Sequence, residues 1–276
     1  MKKIFYLLCC LLTVILVACE SNEPGGPSEK PSNQPGNSNL SSAGSFIAKG
    51  FSVSDTTTIT FSPGNLQYNA TNKKWRFAPN QTDYIGLYNA NISSSYNDWI
   101  DLFGWGTGDN PTNNSTRYKD YSAFVDWGVN EISSYAPNTW RTLTSDEWEY
   151  IIEKRSNADK LKGMAQVNGV NGLILLPDSL SLLPDSLIFP AGVTLTAYYA
   201  LSTSEWEKLE SSGAVFLPAA GRRNGSDVSF VQSGGYYWSA TENESYYASR
   251  LHLNSAEAYM LYGYRNYGQS VRLVKD

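Results

Sequence analysis

Trp140-Arg-Thr-Leu-Thr-Ser-Asp-Glu-Trp-Glu-Tyr150 is the stretch from which the fold is most directly read. Thr144-Ser-Asp-Glu147 forms a capping box, in which the threonine hydroxyl accepts from the amide three residues on and Glu147 reaches back to the cap. Trp148, Ile151 and Ile152 then fall on one face of the helix that follows, at i, i+3 and i+4. Ser202-Thr-Ser-Glu205 repeats the signal ahead of Trp206 and Leu209, and Gly213 closes that second helix.

Around these two helices the chain reads as short strands. Thr58-Ile-Thr-Phe61 and Lys74-Trp-Arg-Phe77 alternate with period two. Pro63-Gly64-Asn65 marks a turn before Leu66-Gln-Tyr68, and Asn69 to Lys73 suits a hairpin loop. Gly172-Leu-Ile-Leu-Leu-Pro177 and Ala214-Val-Phe-Leu-Pro218 are apolar runs between breakers, and Ser270-Val-Arg-Leu-Val274 is the last strand. Residues 80 to 138 are rich in Gly, Asn and Ser, with Trp99, Trp105 and Trp127 irregularly spaced, which describes a loop region pinned by buried aromatics. The expected class is α+β, with few helices packed on short antiparallel strands and long irregular loops.

The N-terminus carries a different message. Lys2 and Lys3 precede an apolar run of about 15 residues, shorter than the roughly 20 a membrane span needs. The run ends in Leu16-Val-Ala-Cys19, which looks like a bacterial lipobox; the alternative is ordinary secretory cleavage with a spare cysteine. The expected organisation is a lipoprotein signal peptide over 1–18, lipidation at Cys19, a Ser-, Asn-, Pro- and Gly-rich tether over 19–45, and one domain over 46–276. The expected location is the outer membrane, lipid-anchored and facing the cell surface.

All three cysteines lie at positions 9, 10 and 19, so the domain has no disulfide, thiolate nucleophile or cysteine metal site. Its stability must come from a core, and roughly 230 residues suffice for one. With Lys2 and Lys3 removed, 19 basic face 26 acidic side chains, a net charge of −7 that gives no reason to hold nucleic acid.

Eight of the nineteen tyrosines fall within Gly234 to Asp276, mixed with Ser, Asn, Gly and Arg. Contact surfaces use this composition, because tyrosine offers large rigid area and a hydroxyl while Ser, Asn and Gly adapt their hydrogen bonds. The expected ligand face is Tyr246, Tyr247, Arg250, His252, Tyr259, Tyr262, Tyr264, Arg265, Asn266 and Tyr267, with Gly235 to Trp238 and Ser270 to Val274 as scaffold. In Tyr247 to Leu253, Leu251 and Leu253 point one way and Arg250 and His252 the other. His252 is the only histidine, no Gly-x-Ser-x-Gly elbow occurs, and a second imidazole ligand for a metal is lacking.

Several segments together resemble a known family. Trp140 to Tyr150 is similar to the Arg-Leu-Pro-Thr-x-x-Glu-Trp-Glu segment of formylglycine-generating-enzyme-like proteins, a branch of the C-type lectin-like fold. Gly235-Tyr-Tyr-Trp-Ser-Ala-Thr241 and Gly268-Gln-Ser-Val-Arg-Leu-Val274 resemble the closing half of C-type lectin-like domains found in Bacteroidetes surface lipoproteins. Phe61-Ser-Pro-Gly-Asn-Leu-Gln-Tyr68, Trp75-Arg-Phe77, Trp99-Ile-Asp-Leu-Phe-Gly-Trp-Gly106 and Phe216-Leu-Pro-Ala-Ala-Gly-Arg222 look like the same group. The resemblance implies a C-type lectin-like fold. Some relatives are variable proteins of diversity-generating retroelements, in which Glu242 to Tyr247 and Tyr259 to Tyr267 would be the varied face.

The chain also departs from that family. The copper-binding cysteine pair of catalytic members is missing, as are the Glu-Pro-Asn and Gln-Pro-Asp tripeptides of calcium-dependent sugar binders, and Thr142-Leu143-Thr144 lacks the proline. No catalytic residue, metal or cofactor is assigned. Asp101, Asp109, Asn110, Asn113 and Asn114 offer oxygen ligands, but their spacing matches no EF-hand, and such residues favour turns for their own backbone bonds. Asp178-Ser179-Leu180 and Asp185-Ser186-Leu187 match a permissive pattern for O-glycosylation at Ser179 and Ser186. The resulting expectation is a non-catalytic, lipid-anchored binding module for an extracellular glycan or protein. The alternative is a structural or assembly component of the envelope, such as a fimbrial or adhesin accessory protein.

Overall fold

The computed structural model describes residues 50–182 and 197–276, all within the compact unit Ala43–Asp276. The expected signal peptide, Cys19, the tether and Ser186 lie outside the described residues. The first strands are β1 (Phe51–Ser52), β2 (Thr58–Phe61), β3 (Leu66–Asn69), β4 (Lys74–Phe77) and β5 (Trp99–Ile100). β3 and β4 form the expected hairpin, Leu66 opposite Phe77 and Asn69 opposite Lys74, and β5 adds to the other edge of β3. Residues 80–138 are otherwise loops and short 3-10 turns, held by the fully buried rings of Trp105 and Trp127. Trp99 is instead half-exposed, with the Arg76 guanidinium 3.7 Å from its ring.

Helix α1 (Ser145–Glu149) starts at the predicted capping box: Thr144 Oγ1 accepts from the Glu147 amide, and Glu147 accepts from the Thr144 amide at 2.8 Å. The α-helix lasts five residues and continues as a π-helical turn over Tyr150–Lys154. Trp148, Ile151 and Ile152 are nevertheless all buried, as their spacing requires.

The middle of the chain supplies β6 (Lys162–Val167), β7 (Val170–Leu175) and β8 (Tyr199–Leu201), then α2 (Thr203–Ser211) and β9 (Val215–Pro218). Ser202 caps α2 in a second capping box, and Gly213 follows its end with φ of +98°. The four strands form one sheet in the order β8-β6-β7-β9. The expectation of antiparallel strands needs one correction here. β6 and β8 run parallel, Ala165 opposite Tyr199, because α2 returns the chain beneath the sheet and buries Trp206 and Leu209 against it. The β6 segment, Lys-Gly-Met-Ala-Gln-Val, has no strand signature of its own; two flanking partners impose its conformation.

The last strands are β10 (Arg222–Asn224), β11 (Asp227–Ser229), β12 (Gly235–Asn243), β13 (Tyr247–Leu253), β14 (Ala258–Tyr264), β15 (Tyr267–Gly268) and β16 (Val274–Lys275). They complete five small sheets among the described residues, including β11-β10-β15, β12-β13-β14 and β1-β2-β16. The architecture is thus α+β, with mostly antiparallel short strands. One apolar core lies between α1, the β6-β7-β9 face and the β12-β13-β14 face, where Trp148, Leu173, Leu217, Tyr237, Leu251 and Val274 meet. A second, tryptophan-rich core holds Trp75, Trp105, Trp127, Trp140 and Trp238. Burial of such large side chains contributes about 1.5–3 kcal/mol each, which lets a cysteine-free domain hold together.

Candidate functional site

The tyrosine-rich tract folds as the antiparallel sheet β12-β13-β14. Directly opposed residues share a face, so the register sorts the tract into two surfaces. On one face, Tyr237, Leu251 and Met260 align, as do Leu253 and Ala258, and these pack into the core around Trp148. Further along the same face, Ser249 pairs with Tyr262 and Tyr247 with Tyr264. There the core ends and the tyrosines meet solvent. Tyr262 is 50% exposed and Tyr264 40%.

These rings organise one another. Tyr247 lies 4.9 Å from Tyr262, 4.7 Å from Tyr264 and 4.6 Å from Tyr246, centroid to centroid. Tyr118, from the loop region, makes an edge contact with Tyr246 at 5.6 Å, and Tyr264 one with Tyr267 at 5.6 Å. A hydrogen bond with Tyr264 pushes the Tyr247 hydroxyl up to about 12, and one with Glu244 raises Tyr246. Both phenols therefore stay protonated and can donate as well as accept.

The opposite face aligns Tyr236, His252 and Tyr259, and beside them Trp238, Arg250 and Leu261. His252 stacks on Tyr236 at 4.9 Å with 9° between the planes, and its Nδ1 lies 2.9 Å from the Tyr259 hydroxyl. Burial, then the charges of Arg250 and Arg222, lower His252 to about 4, so it is neutral at physiological pH. Its hydrogen-bond partner is the Tyr259 hydroxyl.

The residues expected to form the ligand face are distributed over two faces of one sheet. Tyr246, Tyr247, Tyr262 and Tyr264 come together on one; Arg250, His252 and Tyr259 lie on the other, and Tyr267 sits at the edge between them. Arg265 and Asn266, expected on the ligand face, are both buried. The Arg265 guanidinium lies 4.5 Å from the Trp105 ring and donates to Tyr247 O, Glu242 and Glu244 O, stapling the β12–β13 turn to the tryptophan core. Asn266 Nδ2 donates to Asn224 Oδ1. Arg250 is also buried, and Gly263 makes room for it: a Cβ there would lie 3.1 Å from Arg250 Nη1.

Tyr118, Arg222 and Phe230 belong to these surfaces although the sequence reading left them out, and Tyr236, read as scaffold, is buried with its ring stacked on His252. Tyr236 carried a usable signal, since its parity in β12 is opposite to that of the core residue Tyr237. Tyr118 carried none, because its contact is purely tertiary. The expected scaffold is as read: Tyr236, Tyr237, Trp238 and residues 270–274 are buried. A bulge over 239–241 docks β12 onto the start of α1, where Ala240 N–H donates to Leu143 O and Ser145 N–H to Thr241 Oγ1.

The oxygen-rich loop residues serve the loop itself. Asp101 is buried, accepts from the Ile85 amide and Asn89 Nδ2 at 2.8 Å each, and is raised to about 6 by burial. Asn113 Nδ2 donates to Asp120 O, and Asn114 Nδ2 to Ile92 O. Among the described residues no group of three His, Cys, Asp or Glu side chains could hold a metal. Ser179 is exposed at a 3-10 turn, while the neighbouring Asp178 accepts from Ser52 and pairs with Arg155 at 3.0 Å. No described helix is long and apolar enough to cross a membrane.

No curated protein and no solved structure matches this chain. Residues 195–274, from just before β8 to the start of β16 and so including both faces of the aromatic sheet, match a family described as a domain of unknown function (DUF8237).

Proposed function

We propose that this protein is a non-catalytic binding module, held at the cell surface of the outer membrane by a lipid on Cys19, that presents a tyrosine surface to an extracellular glycan or protein. The domain would be of the C-type lectin-like kind. Supporting the reading is one observation above the rest: Tyr262 and Tyr264 are exposed, yet their rings are fixed through Tyr247 on a strand that is hydrogen-bonded into the core. Rigid exposed aromatics lose little side-chain entropy when a partner covers them, so their area converts efficiently into affinity. Tyrosine and tryptophan also dominate the few residues that carry most of an interface's energy.

The test is a glycan and host-protein array with the purified protein, followed by the variant Tyr262→Ala/Tyr264→Ala on the best ligand. The expected result is an affinity loss of at least about tenfold, with the thermal midpoint close to that of the parent, since neither ring is part of the core. Undiminished binding by a folded double variant sinks the proposal.

A further inference from the structure

Arg250 projects from the sheet face opposite the tyrosine surface and is 5% exposed, with Nε and Nη1 both buried and donating to nothing. Arg222, half-buried on β10, stands next to it. The Arg250 guanidinium lies 4.7 Å from the Tyr236 ring; that of Arg222 lies 5.7 Å from the same ring, 4.5 Å from Tyr267 and 5.0 Å from Phe230. Two cations thus share one aromatic ring. The ion pairs of the described residues engage Arg117, Arg141, Lys154, Arg155, Lys162 and Arg265, so neither of these two has a carboxylate partner.

Acids are in excess in this chain, 26 against 21 basic residues, so their absence from this spot does not reflect scarcity. Adjacent like charges repel, and a buried cation without a counter-charge is costly; aromatic faces offset only part of that. The remaining polar group is Gln269, fully buried with neither amide atom bonded. It lies by Arg250: a Cβ on Gly263 would be 3.0 Å from Gln269 Nε2 and 3.1 Å from Arg250 Nη1. His252, stacked on the other side of this cluster, is neutral and brings no balancing charge.

An anion answers the two cations, and the C–H face of a sugar ring fits against the accessible rings of Tyr267 and Phe230, an apolar contact that a bare anion does not make. We propose that Arg222 and Arg250, lipped by Tyr267 and Phe230 and backed by the buried Tyr236 ring, form an anion-recognition subsite for an acidic saccharide, a sugar ring bearing a carboxylate. Arg222 is the accessible lip and Arg250 the floor. The subsite lies on the other side of the sheet from Tyr262 and meets the tyrosine surface where Tyr267 touches Tyr264.

Calorimetric titration of the purified protein with sodium glucuronate, glucose, sodium sulfate and a tetraglutamate peptide tests this. Glucuronate is expected to bind saturably, and the other three at least about tenfold more weakly. Arg222→Gln is expected to weaken glucuronate about tenfold or more, as loss of one charge-assisted contact does, while Tyr262→Ala, whose ring touches none of the lining, leaves it unchanged. Arg250→Gln is read only if circular dichroism shows it folded; Arg222→Gln, at a half-exposed position, decides the matter otherwise. The proposal is overturned if folded protein shows no saturable glucuronate binding at about 10 mM. Equal affinity for glucose or sulfate, preference for the acidic peptide, or indifference to Arg222→Gln overturns it equally.

Discussion

At the scale of single residues, the same side-chain types serve opposite ends according to their neighbours. Arg265 spends its donors on Tyr247 O, Glu242 and Glu244 O and acts as a staple, whereas Arg250, at the midpoint of β13, leaves two nitrogens unmet. His252 shows how such neighbours set a titration. Desolvation and the two arginines hold it near 4, below the ordinary value of about 6.5. Above pH 6.5 neither the folded nor the unfolded chain is protonated at this position, and the native state keeps its full stability. Between 6.5 and 4 the unfolded chain takes up the proton and the folded one does not, so stability falls as pH falls. Asp101, raised to about 6, works in the other direction, so parent and variant must be compared at each pH. His252→Gln is expected to lose less stability than the parent between pH 7 and pH 4.5 in urea melts. Parallel pH profiles for the two proteins would show that His252 is not the group responsible.

At the scale of elements, both helices begin where the sequence signals them, since a capping box is a contract among four adjacent residues. In α1 that box is tied into the fold, because Glu147 also receives two bonds from Arg141, at 2.8 and 2.9 Å, and Arg141 in turn binds Asp276. Thr144→Ala should therefore lower stability by about 1 kcal/mol, read as a shift of the denaturation midpoint, whereas Thr144→Ser should cost little because serine caps as well. Equal losses from the two substitutions would mean that the methyl group, not the cap, matters. The π-helical turn after α1 was not readable in advance. It satisfies Arg155 N–H on Tyr150 O and leaves the Arg155 guanidinium bound to Ile151 O, Leu161 O, Leu176 O and Asp178, partners scattered along the chain.

At the scale of the whole molecule, the C-terminal segment joins most of the domain. Ser270 exchanges backbone bonds with Tyr236 and Trp238, the Leu66 amide donates to Val271 O, the Ser62 amide to Leu273 O, and Val274 exchanges two bonds with Arg141. Val274 and Lys275 also pair with Phe61 and Thr60 in β2, and Leu273 and Val274 are buried in different cores. Deletion of Leu273–Asp276 is expected to abolish the cooperative near-ultraviolet melt, since both cores lose a wall and the β1-β2 pair loses its third strand. A truncated protein that melts as sharply as the parent would refute this role. The alternation of Ser270 to Val274 announced an extended segment, yet only Val274–Lys275 sits in a regular ladder, because the rest bonds to three elements in turn.

The sequence by itself determined what adjacent residues can settle: two capped helices, the β3–β4 hairpin, the buried Trp148-Ile151-Ile152 stripe, a cysteine-free domain and a tyrosine-rich ending. Only the tertiary structure decided which tyrosines share a surface, that β8 runs parallel to β6, and that Arg265 and Asn266 are interior. The reason is physical. Caps, turns and periodicity arise from contacts a few residues apart, whereas strand register, the 239–241 bulge and the burial of an arginine depend on segments far apart in the chain, whose pairing no local pattern encodes.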